Sequence, residues 1–178
     1  MKKKQNQKDT WIMTLEEALE NDIIESGDLI AFSGKDWKKR FEKVEYKNYI
    51  YFSDVALAFV KDKEAFMYFY LPKSGLQLVP LEGLDSFLLI KTGITWNKTI
   101  QAVMKSLIGT KKSHINEFLS FFSKNTTEKR FYPALLAGLI LIYGGYRIVL
   151  DGITPTRMIN SLTHILGRKS IYIKKQEG

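Results

Sequence analysis

The spacing of hydrophobic residues changes near the middle of the chain. Up to residue 91, short apolar and β-branched runs separated by turn residues predict strands, and after it apolar positions recur at helical spacing. Before the strands, Thr14 and Glu17 form a capping-box pair that predicts a short helix from Leu15 to about Asn21. The predicted strands are Leu29–Phe32, Tyr49–Val60, Ala65–Leu71, Leu76–Leu81 and Ser86–Lys91.

The second half of the chain is predicted to be mainly helical. Pro133 precedes an uninterrupted apolar run, and a helix that is apolar on all sides belongs inside a core. Strands followed by helices around one buried helix predict an α+β fold with an antiparallel sheet. The predicted elements are helices over Ile100–Ile108, Ile115–Phe122 and Ala134–Tyr143, a helix that begins at Thr154-Pro155, and an edge strand over Ser170–Lys174.

Composition narrows the class of protein. The chain has 178 residues, 45% of them hydrophobic, which suits a single α+β domain over residues 11–178 behind a basic, flexible tail over residues 1–10. It has no cysteine, which excludes disulfides, thiolate metal sites and a thiol nucleophile. The first residues lack the apolar stretch of a signal peptide, and the longest apolar run, Ala134–Ile142, is too short to span a membrane. We therefore expect a soluble protein whose compartment the sequence does not determine.

Polar residues suggest little chemistry of their own. His114 and His164 are the only histidines, and neither belongs to a group with metal-ligand or triad spacing. We expect no metal and no cofactor. The 27 Lys and Arg outnumber the 19 Asp and Glu, and three basic clusters could contact nucleic acid or an acidic membrane surface or could be solvated faces. The clusters are Lys2–Lys4, then Lys35, Lys38, Lys39 and Arg40, and then Arg168, Lys169, Lys174 and Lys175.

Five segments resemble, in their order, the circularly permuted papain-like proteins of the NlpC-like superfamily. SGDLIAF (26–32) is similar to the family's opening strand, and SDVALAF (53–59) to the strand that carries its catalytic histidine. SGLQLVPLEGLDSFLL (74–89) resembles the next hairpin, as found in poxvirus and bacterial members. RFYPALLAGLI (130–140) resembles the start of the central helix, and ITPTRMINS (153–161) the segment after it. The resemblance covers roughly residues 26–161 and implies a permuted papain-like fold.

The resemblance also implies that the catalytic residues have been replaced. The family places a cysteine at the head of the central helix, where Tyr132 stands here, and its histidine where Asp54 stands. A polar residue that orients the histidine falls near Phe69. A phenol with a pKa near 10 beside a carboxylate cannot act as a thiolate–imidazolium pair, since the carboxylate raises the pKa of the phenol.

The sequence therefore predicts a catalytically inactive, permuted papain-like protein. It would serve as a binding or structural component, with a virus as one setting, in which case it would occur in the cytoplasm or the virion. A protein partner or self-association is expected. The alternative is a basic module, without enzymatic activity, that binds nucleic acid or a membrane surface.

Overall fold

One seven-stranded sheet organises the part of the chain that the structure describes. The computed structural model describes residues 11–32, 52, 54–71, 73–111, 114, 132–150 and 153–174. The predicted tail over residues 1–10, the predicted helix Ile115–Phe122 and the basic cluster of Lys35, Lys38, Lys39 and Arg40 lie outside these residues.

The described elements confirm the predicted α+β class. The strands are β1 (Trp11–Thr14), β2 (Leu29–Phe32), β3 (Asp54–Lys61), β4 (Glu64–Leu71), β5 (Gly75–Pro80), β6 (Ser86–Ile90) and β7 (Ser170–Lys174). The α-helices are α1 (Leu15–Glu20), α2 (Lys98–Leu107), α3 (Tyr132–Tyr143) and α4 (Pro155–Asn160). A 3-10 turn covers Leu81–Gly83, and a π-helical turn over Ser161–Ile165 continues α4.

The sheet has the strand order β1-β7-β6-β2-β3-β4-β5, which corrects two predictions. β7 is not an edge strand, because β1 pairs with it in parallel and occupies the edge. The sheet is therefore mixed and not purely antiparallel, although its other pairs are antiparallel. A third correction concerns β3, which begins at Asp54 and not at Tyr49, since Phe52 lies outside it.

Each face of the sheet carries its own apolar core. Alternate residues of a strand point to opposite faces, so β3 contributes Val55 and Leu57 to one core and Ala56 and Ala58 to the other. The first face is covered by α2, α3 and α4, and the second by α1 and by the chain around the 3-10 turn. The sheet therefore separates two layers, which are called the first and second faces below.

Local signals explain where the helices begin. The Thr14 hydroxyl accepts a hydrogen bond from the Glu17 N–H at 3.1 Å, and the Glu17 carboxylate accepts one from the Thr14 N–H at 2.7 Å. The predicted capping box of α1 is thus present. The Thr154 hydroxyl caps α4 in the same way, with Pro155 as its first residue.

The helix α3 is the predicted buried helix. Most of its side chains lie in the first core, and among the described elements it makes its main contacts with β3. At Gly138 an added Cβ would lie 2.7 Å from Leu150 Cδ2, so any larger residue there would require the Leu150 side chain to shift. In the described part of the chain no helix combines the length and the apolar character needed to cross a bilayer.

Candidate functional site

A small recess lies where the head of α3 meets the sheet on its first face. It encloses ≈ 260 Å³ of empty space, including its open mouth. Strands β3, β4 and β5 form one side, and the first two turns of α3 form the other. Its lining residues are Ala56, Leu57, Tyr68, Tyr70, Leu76, Pro133, Leu136 and Ala137.

An aromatic cluster stands behind the recess. The Tyr68 ring stacks on Trp96, with centroids 6.0 Å apart and 24° between the planes, and Phe59 contacts both rings. Burial raises the pKa of Tyr68 to about 12, because a phenolate would lose its hydration there. Among the described residues, the buried indole N–H of Trp96 has no hydrogen-bond partner. The recess is therefore backed by packed aromatic rings, and Tyr68 is neutral at physiological pH.

The structure places two of the three predicted degenerate positions on the far side of the sheet. Asp54 pairs with Phe32 across β2 and β3, so it shares the second face with that residue. Phe69 is buried in the second core with its ring 5.5 Å from that of Phe32. Tyr132 is the first residue of α3, as predicted, but α3 covers the first face.

The chain segments named by the resemblance nevertheless converge. Leu57, three residues after Asp54, and Pro133, one residue after Tyr132, line the same recess. The β3 and α3 segments therefore lie close together. The Asp54 carboxylate nevertheless lies on the opposite face of the sheet, because alternate residues of a strand point to opposite faces. The correspondence of Asp54, Phe69 and Tyr132 with a catalytic set stays a prediction.

Asp54 is a partly buried carboxylate with little to stabilise its charge among the described residues. Among the described residues, its hydrogen-bond donor is the N–H of Val55, at 3.1 Å. Burial raises the pKa of Asp54 from 3.8 to about 7, since one backbone donor does not replace the lost hydration. The carboxyl group therefore changes its charge near neutral pH.

Asp28 is a fully buried aspartate whose carboxylate has several hydrogen-bond partners. In the sequence it stands out only as part of the SGDLIAF segment. Asp28 accepts hydrogen bonds from Lys91 Nζ at 2.6 Å, from the Glu25 N–H at 2.9 Å and from the Thr92 N–H at 3.1 Å. Burial raises the pKa of Asp28, and Lys91 opposes that rise. The polar pair joins the start of β2 to the end of β6.

The two histidines belong to no candidate metal site within the described residues. No group of three or more His, Asp or Glu side chains there could hold a metal ion. His164 is exposed on the π-helical turn, away from the recess-lining residues. A comparison of the chain with protein-family models and with curated proteins finds no match.

Proposed function

We propose that this protein is a catalytically inactive, permuted papain-like protein that serves as a binding or structural component. The recess at the head of α3 is its proposed binding site. The observation that carries the proposal is the lining of that recess, which consists of aliphatic side chains, a proline and two tyrosines.

The arrangement of α3 and β3 supports the papain-like part of the proposal. Papain-like catalysis needs a nucleophile at the first turn of a buried helix, facing a base on a neighbouring strand. Here an apolar helix begins at Tyr132 and packs on β3, the strand that the resemblance assigns to the base. The chain also has no cysteine to supply a thiolate.

The chemistry of the lining supports the absence of catalysis. A general base must accept a proton near the working pH, and a nucleophile must be activated by such a base. Tyr68 has a pKa of about 12 and is therefore neutral and protonated under physiological conditions. The Asp54 carboxyl, which titrates near neutral pH, lies on the other face by strand alternation.

The size and polarity of the recess indicate the class of ligand. Ligand pockets commonly have volumes of about 300–1,000 Å³, whereas the ≈ 260 Å³ of this recess includes the solvent at its open mouth, so the recess admits at most the tip of an apolar group. An apolar lining with two phenol groups suits one aliphatic side chain of a partner or the end of an acyl chain.

Calorimetric titration with dodecanoate tests the proposed site. Leu136→Ala enlarges the recess, and because each further buried methylene contributes about 0.8 kcal/mol, we expect roughly fourfold tighter binding or more. Leu139→Ala is the matched control, since Leu139 is buried on the same helix but does not line the recess. It should leave the affinity unchanged.

Two results would contradict the proposal. Equal effects of Leu136→Ala and Leu139→Ala would show that dodecanoate binds elsewhere. Hydrolysis of a p-nitrophenyl ester above the buffer rate, abolished by Tyr70→Phe, would make the recess an active site.

A further inference from the structure

Among the described residues, acidic and basic side chains are concentrated in different parts of the chain. In the described residues between 11 and 85, eleven Asp and Glu accompany three Lys. In the described residues between 86 and 174, nine Lys and Arg accompany no Asp or Glu. The nine cations are Lys91, Lys98, Lys105, Lys111, Arg147, Arg157, Arg168, Lys169 and Lys174.

The fold converts this division along the chain into a division in space. The helix α2 and the segments on either side of α4 belong to the first face and carry five of the nine cations, Lys98, Lys105, Arg147, Arg168 and Lys169. The helix α1, with Glu16, Glu17 and Glu20, and the 3-10 turn, with Glu82, belong to the second face. Among the nine cations, Lys91 is already bound to Asp28 and Glu25.

Exposed apolar side chains accompany the cations. Six of the eight large hydrophobic side chains that are exposed in the described residues lie between residues 86 and 174. Val149 and Ile165 are each 79% exposed, the highest fractions in that set. The six are Ile108, Ile142, Tyr143, Val149, Ile165 and Leu166.

Two segments join to form one basic and apolar surface. The Arg168 guanidinium lies 5.2 Å from the centre of the Tyr146 ring, which brings the segment after α3 next to the segment after the π-helical turn. We call this surface the cationic–apolar surface. It consists of Arg147, Val149, Ile165, Leu166, Arg168 and Lys169, which are all exposed.

We propose that the cationic–apolar surface docks on an anionic lipid bilayer. Its cations would lie at the level of the lipid phosphates and carboxylates, and its aliphatic side chains would enter the boundary with the acyl chains. This assignment goes beyond the recess and does not depend on the papain-like resemblance.

The aliphatic side chains favour a bilayer over nucleic acid. Phosphate backbones are bound by cations and polar donors, and unpaired bases stack on aromatic rings. Neither interaction uses two protruding β-branched aliphatic residues such as Val149 and Ile165. A bilayer interface uses both these residues and the neighbouring Arg147 and Lys169.

Co-sedimentation with vesicles tests the proposal on the full chain. Binding is expected to phosphatidylcholine vesicles that contain phosphatidylserine and not to pure phosphatidylcholine vesicles, and it should weaken as salt is added. Arg147→Glu with Lys169→Glu should reduce binding by at least about tenfold. Val149→Ser with Ile165→Ser should also reduce it about tenfold, through lost apolar contact.

A matched charge reversal supplies the control. Lys61→Glu with Lys63→Glu changes the net charge by the same amount at exposed positions of the β3–β4 turn, and it should leave binding unchanged. Equal weakening by this pair would overturn the proposal, because net charge alone would then explain binding. Retention of single-stranded RNA without vesicle binding, unaffected by Val149→Ser with Ile165→Ser, would overturn it in favour of nucleic acid.

Discussion

Asp28 and Asp54 stand at opposite ends of the β2–β3 pair and differ in how they are stabilised. Asp28 directly precedes β2, and Asp54 is the first residue of β3, opposite Phe32 at the end of β2. Burial raises the pKa of both carboxyl groups. Asp28 has a cationic partner and two backbone donors, whereas Asp54 has the Val55 N–H alone among the described residues.

The difference shows that Asp28 has a structural role in this fold, whereas the described residues give Asp54 no cationic partner. In the segment Ser26-Gly27-Asp28, each residue contributes a contact or a backbone conformation to the fold. The Ser26 hydroxyl accepts a hydrogen bond from the Val60 N–H at 2.9 Å, and Gly27 has a φ of +96° with Ile94 2.6 Å from any added Cβ. Asp28 then closes the turn onto β6. Among the described residues Asp54 makes no comparable set of contacts, so burial raises its pKa and its charge is stabilised there by one backbone donor.

Removing the cation from Asp28 should give the largest effect. Lys91→Met leaves a buried carboxylate without its partner, and we expect a loss of about 3 kcal/mol in the free energy of unfolding at pH 8. Without Lys91 the folded-state pKa of Asp28 rises further above 3.8, so the loss should shrink as the pH falls and Asp28 is protonated.

Urea unfolding at pH 8 and pH 4 measures this effect. Lys98→Met, at an exposed first residue of α2, is the control and should change the stability little at either pH. An equal loss for Lys91→Met at both pH values would mean that Asp28 does not carry the charge that Lys91 balances.

Neutralising Asp54 should have the opposite sign. The pKa of Asp54 is raised from 3.8 to about 7 in the folded protein. At a pH between these two values, Asp54 is therefore protonated in the folded state and ionised in the unfolded chain. Stability therefore falls as the pH rises from about 4 to about 7, by at most about 4 kcal/mol. Since the Asp54 side chain is only partly buried, we expect Asp54→Asn to be about 2 kcal/mol more stable than the wild type at pH 8 and nearly equal at pH 4.

A pH series of thermal or urea unfolding curves checks the Asp54 prediction. Glu82→Gln removes one charge at an exposed position and should not change the pH profile. If Asp54→Asn left the slope between pH 4 and pH 7 intact, Asp54 would already be ionised in the folded protein, and the contrast with Asp28 would disappear.

Local patterns predicted the elements whose ends are fixed by neighbouring residues. The capping residues Thr14 and Thr154 each accept a hydrogen bond from the backbone N–H three residues later, so the capping pattern can be recognised in the sequence. β1 was missed because its four residues show no alternation, and Trp11 and Ile12 remain exposed at the sheet edge. Its strand character comes from pairing with β7, about 160 residues along the chain.

The site depended on contacts that no local pattern contains. The face on which Asp54 lies follows from its register with Phe32, and a shift of one residue would reverse it. The Asp28–Lys91 pair joins residues 63 positions apart, so neither side chain signals the other in the sequence. The spatial separation of cations from carboxylates likewise requires knowing which helices share a face.

The smallest effect should come from the exposed member of the Asp28 cluster. Lys91 Nζ lies 2.8 Å from Glu25 Oε2 and 2.6 Å from Asp28 Oδ2, so the two ion pairs have similar distances. The Glu25 side chain, however, is 65% exposed, whereas that of Asp28 is only 1% exposed. Water can replace Lys91 around Glu25, so Glu25→Gln should cost about 0.5 kcal/mol or less in urea unfolding, and added salt should abolish the difference. A loss comparable with that of Lys91→Met would contradict this, because it would mean that distance and not burial sets the strength of these ion pairs.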